Sequence, residues 1–255
     1  MTTDFFVAPD WYRTFFTSPV MRFWEAAVPA DVTAEEVAFV IRHIGAQPPA
    51  SILDVPCGSG RHSLALAKAG FTVVGADISA AALARAKALA RTETASVDFV
   101  SSDMLELDVG TPGDALICMG NSIGCFEPAL TQKLFKRFAS ALRIGGRLII
   151  DTSICAESVL PIATNRSFAF PGGTYATEVT YDPMESIIKT RAQLTIDGQR
   201  HELLYRHFVM TSGELVRSLV RAGFDIRGLY GDARDTAFGP GSPRLMVVAE
   251  RSVTT

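Results

Sequence analysis

Apolar positions along this chain switch between two periods, and the switches mark out its elements. In the first 30 residues Phe5, Phe6, Trp11, Tyr12, Phe15, Phe16, Phe23 and Trp24 cluster, and Pro9, Pro19 and Pro29 divide them into short helices. Thr33 with Glu36 three residues on has the capping-box spacing, and Val37, Val40, Ile41 and Ile44 form one helical stripe that stops at Gly45. From residue 51 the pattern alternates. Strand-like runs at Ser51–Val55, Phe71–Asp77, Val97–Ser102, Ala115–Met119 and Arg147–Asp151 are separated by helical faces ending at Gly70, near Ala90 and over 129–142. Such alternation predicts a parallel sheet with helices on both faces.

The second half reads differently. Thr174–Tyr181, Ile187–Ile196 and Gln199–Val209 are strand-like, and Asp197-Gly198 joins the last two as a two-residue hairpin turn. Thr211 with Glu214 repeats the capping-box spacing before Leu215–Ala222, and two strands, Phe224–Tyr230 and Arg244–Glu250, finish the chain. The expected organisation is one α/β domain over 1–255: an aromatic helical segment at 1–45, a core at 51–153, an antiparallel meander at 165–210 and a final helix and strand pair at 211–255.

Composition narrows the class. The chain has 255 residues, 48% hydrophobic and 20% charged, which excludes a disordered chain. Its net charge of −3 gives no overall attraction for nucleic acid or an anionic membrane, so neither is expected as a partner. No stretch approaches the roughly 18 apolar residues of a membrane span. Asp4, Asp10 and Arg13 interrupt the N-terminal apolar residues where a signal peptide would need a continuous run. Cys57, Cys118, Cys125 and Cys155 show no paired spacing, so free thiols and a cytoplasmic location are expected, with no metal site. His201-Glu202 and His207 miss the zinc-protease spacing, because the second histidine lies six residues on rather than four. On a strand, however, His201, Tyr205 and His207 share one face.

The candidate chemistry begins at Asp54-Val-Pro56-Cys57-Gly58-Ser-Gly60-Arg61-His62, where a strand ends in an acid and a Gly-x-Gly turn opens a helix. Glycines there let backbone approach a ligand, and open α/β sheets bind ligands at the carboxyl ends of their strands. Asp77 ends the next strand, where a carboxylate can accept both hydroxyls of a ribose; Asp103, followed by Met104, ends the third and suits an adenine. After the fourth strand, Met119-Gly120-Asn121 permits close backbone approach and offers an amide to orient a nucleophile. These motifs, with Asp77-Ile78-Ser79 and Leu142-Arg-x-Gly145-Gly146-Arg-Leu, together resemble class I S-adenosylmethionine-dependent methyltransferases. Tyr205-Arg206-x-Phe208, Ala222-Gly223-Phe224, Tyr230-Gly231-Asp232 and Ser242-Pro243-Arg244-Leu245 are similar to a bacterial branch acting mainly on small molecules.

The resemblance implies a Rossmann-like, doubly wound seven-stranded sheet with its last strand antiparallel. It further implies S-adenosyl-L-methionine across the first turns, with Asp54, Gly58 and Gly60 at the methionine part, Asp77 at the ribose and Asp103 with Met104 at the adenine. Pro56 replaces a glycine common in that loop and removes an N–H donor. Arg61 can pair with a carboxylate and His62 can face the substrate. Trp11, Tyr12, Phe16 and Trp24 are candidates for a lid that contacts a small acceptor, together with Phe126 and Arg206. His207, Tyr205 and His62 are candidates for a general base, and Asn121 for orienting the nucleophile. Two alternatives stay open: an NAD(P)-dependent oxidoreductase, since Gly58-x-Gly60-x-x-Ser63 is one residue from the dinucleotide fingerprint, and a non-catalytic nucleoside-binding protein. A monomer and a homodimer are equally compatible with the sequence.

Overall fold

The computed structural model describes residues 5–160 and 165–252; the first four residues of the expected N-terminal segment lie outside them. Three helices come first: α1 (Tyr12–Phe15), α2 (Ser18–Ala27) and α3 (Ala30–His43). The alternating core follows as β1 (Ser51–Asp54), α4 (Arg61–Lys68), β2 (Thr72–Asp77), α5 (Ala80–Glu93), β3 (Val97–Ser101), β4 (Gly113–Cys118), α6 (Pro128–Ser140) and β5 (Leu142–Thr152). Then come α7 (Ala156–Val159), four strands β6 (Ser167–Phe170), β7 (Gly173–Asp182), β8 (Ile187–Ile196) and β9 (Gln199–Phe208), and finally α8 (Ser212–Arg221), β10 (Phe224–Tyr230) and β11 (Leu245–Arg251).

Seven strands make one sheet in the order β10-β11-β5-β4-β1-β2-β3. The β1, β2, β3, β4 and β5 pairings are parallel, whereas β11 runs antiparallel to both β5 and β10, as expected. The period of two along each central strand sends alternate residues into two cores. Leu53, Leu116, Leu148, Ile150 and Val247 pack with Phe135 and Phe138 of α6 on one face. Ile52, Ile117, Ile149 and Val248 pack with Val37 and Val40 of α3 and Leu66 of α4 on the other.

The four late strands form a separate antiparallel sheet, β6-β7-β8-β9. Ile196 pairs with Gln199 across Asp197-Gly198, both of positive φ, so the two-residue hairpin forms as its dipeptide requires. The edge strand β6 was not expected, because Ser167–Phe170 offers only four residues, too short a run for its Phe168/Phe170 alternation to stand out. One face of this sheet lies on α2, where Phe23 stacks on Tyr175 at 4.4 Å between ring centroids.

The N-terminal region departs from expectation in two ways. Pro19 does not break a helix but sits in the first turn of α2, where its missing N–H has no helical partner to lose. The helix expected to start at Thr33 begins at Ala30 after Pro29, and Thr33 and Glu36 form no capping box. Their side chains instead serve Arg61 and a buried ionic cluster, whereas Thr211 and Glu214 do form the box at the start of α8. Ile41, placed on the buried stripe, is 38% exposed at its margin.

Candidate active site

Because β4, β1, β2 and β3 are neighbours in the sheet, the turns after them share one edge. The first of these turns is tied down from both sides: Val55 N–H donates to Ile117 O and Cys57 N–H to Ala76 O. Gly60 has φ +83°, and a Cβ there would lie 2.9 Å from the Phe99 ring, so packing alone demands glycine at that position. Gly58, with φ +56°, faces only the Met21 methyl at 3.8 Å. Asp54 is buried and accepts from Ser63 Oγ at 2.6 Å, while its Oδ1 has no partner among the described residues. Burial pushes its pKa up, against the pull of His62, Ser63 and Arg61. A buried carboxylate oxygen of this kind, beside a glycine turn, fits a donor such as an ammonium. Cys57 is buried, and its thiol is pushed far up by desolvation, so it is no nucleophile.

Asp77, at the end of β2, receives the Gly58 N–H and the Ser79 N–H, both at 2.8 Å, and so locks the first turn to the second. Burial raises its pKa, partly opposed by those backbone donors. Ile78 lies between, and Ser79 caps α5 while donating its hydroxyl to Phe16 O at 2.8 Å. Asp103, at the end of β3, meets Arg13 of α1 at 2.7 Å, and Met104 beside it is buried. The N-terminal helices therefore lie over the second and third turns. Arg85 adds a third tie, pairing with Glu25 at 2.9 Å.

The fourth turn forms the wall. Met119 is buried; Gly120 has φ +82° and nothing within 4 Å of its absent Cβ. Asn121 is also left-handed, and its Oδ1 accepts from Ser153 N–H at 2.6 Å, so its amide fixes this turn to the end of β5. Tyr12 packs against Phe126 at 5.1 Å between centroids, and Trp11 packs against Tyr205 at 5.6 Å and His207 at 5.5 Å. Gly124 has its absent Cβ 3.2 Å from the His207 ring, which brings β9 onto the wall. His207 is desolvated, which pushes its pKa down to about 4 and leaves it neutral at pH 7. Tyr205 shares its hydroxyl with Tyr175 at 2.9 Å; burial raises both, so both stay protonated. Trp11 contributes an indole N–H that is buried without a partner among the described residues.

Other candidates lie elsewhere. Arg206 alternates with Tyr205 and His207 along β9, placing it on the opposite face of the small sheet, over the Phe208 ring. Trp24 is 43% exposed and leans on Phe23. His62 is buried and bonded to Glu36 at 2.9 Å, away from the aromatic wall.

That last pair belongs to a cluster the sequence reading missed. Glu36 Oε2 meets Arg61 at 2.5 Å and His62 at 2.9 Å, its Oε1 meets Arg244 at 2.7 Å, and Arg244 goes on to Asp151 at 2.9 Å. Burial alone would raise the Glu36 pKa, but the His62 hydrogen bond and the charges of Arg61, His62 and Arg244 outweigh it and hold the group well below the carboxylate range. Asp151 in turn takes the Gly120 N–H at 3.3 Å. The available signals were Asp151, a fourth acid at a strand end, and a glutamate whose capping reading concealed a second use.

A parallel sheet carrying a glycine turn and three further turns on one edge, under an aromatic cover, defines a Rossmann-like enzyme for a nucleoside cofactor. Residues 52–146 match the family described as "Methyltransferase domain". A dTDP-3-amino-3,6-dideoxy-alpha-D-glucopyranose N,N-dimethyltransferase of Streptomyces fradiae is 27% identical over 217 residues, 82% of this chain and 83% of that protein. The CcbJ methyltransferase of Streptomyces caelestis superposes with a TM-score of 0.81 at 16% identity, over 94% of this chain and 99% of that one. The SAM-bound amino pentose methyltransferase CalS10 of Micromonospora echinaspora gives 0.68 at 20% identity, over 91% and 95%. The chain is a class I S-adenosylmethionine-dependent methyltransferase, and S-adenosyl-L-methionine is its cofactor.

Proposed function

We propose that the chain transfers the methyl group to an amino nitrogen of a small molecule held between the N-terminal aromatics and the β4 wall. The observation that carries this reading is the neutral His207 beside Trp11 and Tyr205, pressed on the turn that follows the cofactor edge. The amino-sugar enzyme of Streptomyces fradiae supports nitrogen as the acceptor atom. Asp54, Pro56, Cys57, Gly58, Gly60 and Arg61 would hold the methionine arm, Asp77, Ile78 and Ser79 the ribose, Asp103 and Met104 the adenine, and Met119, Gly120 and Asn121 the boundary with the acceptor. The orphaned Asp54 oxygen and the open space at Gly120 fit such a ligand.

The bound cofactor supplies an electrophilic methyl on a sulfonium, so the protein's task is alignment and exclusion of water. Well-oriented reactants can gain about 7–11 kcal/mol in this way. Trp11, Tyr12 and Phe126 exclude water and offer ring faces to the positive charge that moves onto nitrogen. His207 stays uncharged, offering a hydrogen-bonding nitrogen without repelling the sulfonium. The net charge of −3 supports a small acceptor over nucleic acid. No helix among the described residues is long and apolar enough to cross a membrane.

Calorimetric titration tests the cofactor half. S-adenosylhomocysteine should bind, NADH should not, and Asp77→Ala should weaken the former at least tenfold. Binding of NADH instead would restore the oxidoreductase alternative. A radiolabelled methyl-transfer screen of amino sugars and simple amines then tests the acceptor half; transfer only to hydroxyl or thiol acceptors would overturn the nitrogen assignment.

A further inference from the structure

We propose that Arg61 is the anchor for the α-carboxylate of the cofactor's amino-acid arm, with the buried Glu36 as the positioning residue that aims it; this rests on the cofactor reading above. Arg61 directly follows Gly60 and opens α4, so its backbone belongs to the glycine turn itself. Its Nη1 is fixed by Glu36 at 2.5 Å and Thr33 at 3.0 Å, whereas its Nε and Nη2 carry no hydrogen bond among the described residues. A third of the side chain is exposed, while Glu36 beneath it is 1% exposed.

The other arginine on Glu36 is differently placed. Arg244 donates Nη1 to Glu36 and Nη2 to Asp151 Oδ2 and holds its Nε 2.9 Å from Asp151 Oδ1, so its guanidinium is taken up by the two carboxylates. Arg13, the cation over the third turn, is engaged by Asp103. Arg61 is therefore the guanidinium at the first turn that keeps two donors free, held by one nitrogen so that the rest of the fork is preorganised. The amino-acid arm of S-adenosylmethionine is a zwitterion, and this turn carries both complements: the unpartnered Asp54 Oδ1 for the ammonium and Arg61 for the carboxylate. The first N–H groups of α4 add to the preference for an anion there. Glu36 keeps the cluster from presenting two unscreened arginines, and through Arg244 and Asp151 it joins the carboxylate anchor to the Gly120 turn.

The probe is a pair of ligands that differ only in the carboxylate: S-adenosylhomocysteine and its decarboxylated form, S-adenosyl-3-thiopropylamine. In calorimetry the unsubstituted protein should prefer the first about 30-fold, roughly 2 kcal/mol at 1.4 kcal/mol per tenfold. Arg61→Gln should erase most of that preference by weakening the first ligand alone, and Arg61→Lys should retain part of it. Glu36→Gln should narrow the preference less than Arg61→Gln does. Melting temperatures confirm that each variant is folded, and if Arg61→Gln is not, the unsubstituted protein and Arg61→Lys decide the matter. Equal affinity of the unsubstituted protein for the two ligands, or equal loss of both in the Arg61 variants, would overturn the proposal while leaving the cofactor in place. Failure of S-adenosylhomocysteine to bind the unsubstituted protein would overturn both.

Discussion

His207 shows how much one residue's environment changes its chemistry. An exposed histidine titrates near 6.5, but Trp11, Tyr205 and the wall turn desolvate this one and push it down to about 4. The unfolded chain therefore takes up a proton between those two pH values that the native state refuses. Above about pH 6.5 both states are neutral and the group adds no pH dependence; as the pH falls toward 4 it costs the fold up to ~3 kcal/mol. Urea denaturation at pH 7 and pH 4.5 should show His207→Gln losing less stability on acidification than the unsubstituted protein. Parallel losses would mean that the imidazole is already charged in the fold. Gly60 teaches the complementary lesson: half of the Gly-x-Gly signal that suggested a ligand is required by the Phe99 ring, whatever binds there.

Elements were legible in the sequence where a period or a turn dipeptide acts alone, and less so where tertiary contacts recruit the same residues. The strands from Ser51 to Asp151 and the Asp197-Gly198 hairpin follow from period and turn chemistry, because each segment carries its own burial pattern. The start of α3 did not, since Thr33 and Glu36 have the side chains of a cap but are used by Arg61, His62 and Arg244. The candidate cofactor acids Asp54, Asp77 and Asp103 were visible at the strand ends, whereas Arg13, which meets Asp103, and the Arg244 that pairs with the unforeseen Asp151 come from more than 80 positions away. At this scale α2 is the joint between the two sheets. Phe23 is 1% exposed, stacked on Tyr175 and packed with Phe170. Phe23→Ala should cost about 3–5 kcal/mol, the range for truncating a buried aromatic. A loss under 1 kcal/mol in equilibrium denaturation would show that α2 is not anchored to the small sheet.

Across the whole molecule, the N-terminal helices touch both the cofactor edge and the small sheet, so the two halves of the site are closed by one segment. Its ties to the edge are Ser79 to Phe16 O, Arg85 to Glu25, and Arg13 to Asp103. Arg13 is 46% exposed and Asp103 14% exposed, so this pair sits at the rim and is screened by salt. Exposed pairs contribute about 0.2–1 kcal/mol, which limits the effect of removing one to roughly fivefold in a binding constant. If the pair holds the cover down over a bound cofactor, Arg13→Ala should weaken S-adenosylhomocysteine about two- to fivefold. The difference should shrink as salt is raised from 50 to 500 mM, since the variant has lost the screened contact, and stopped-flow release should locate the change in the dissociation rate. Tighter binding in the variant would reverse the assignment: Arg13 would then compete with the adenine for the Asp103 carboxylate, and the cover would have to let go of the edge before the nucleoside could settle on it.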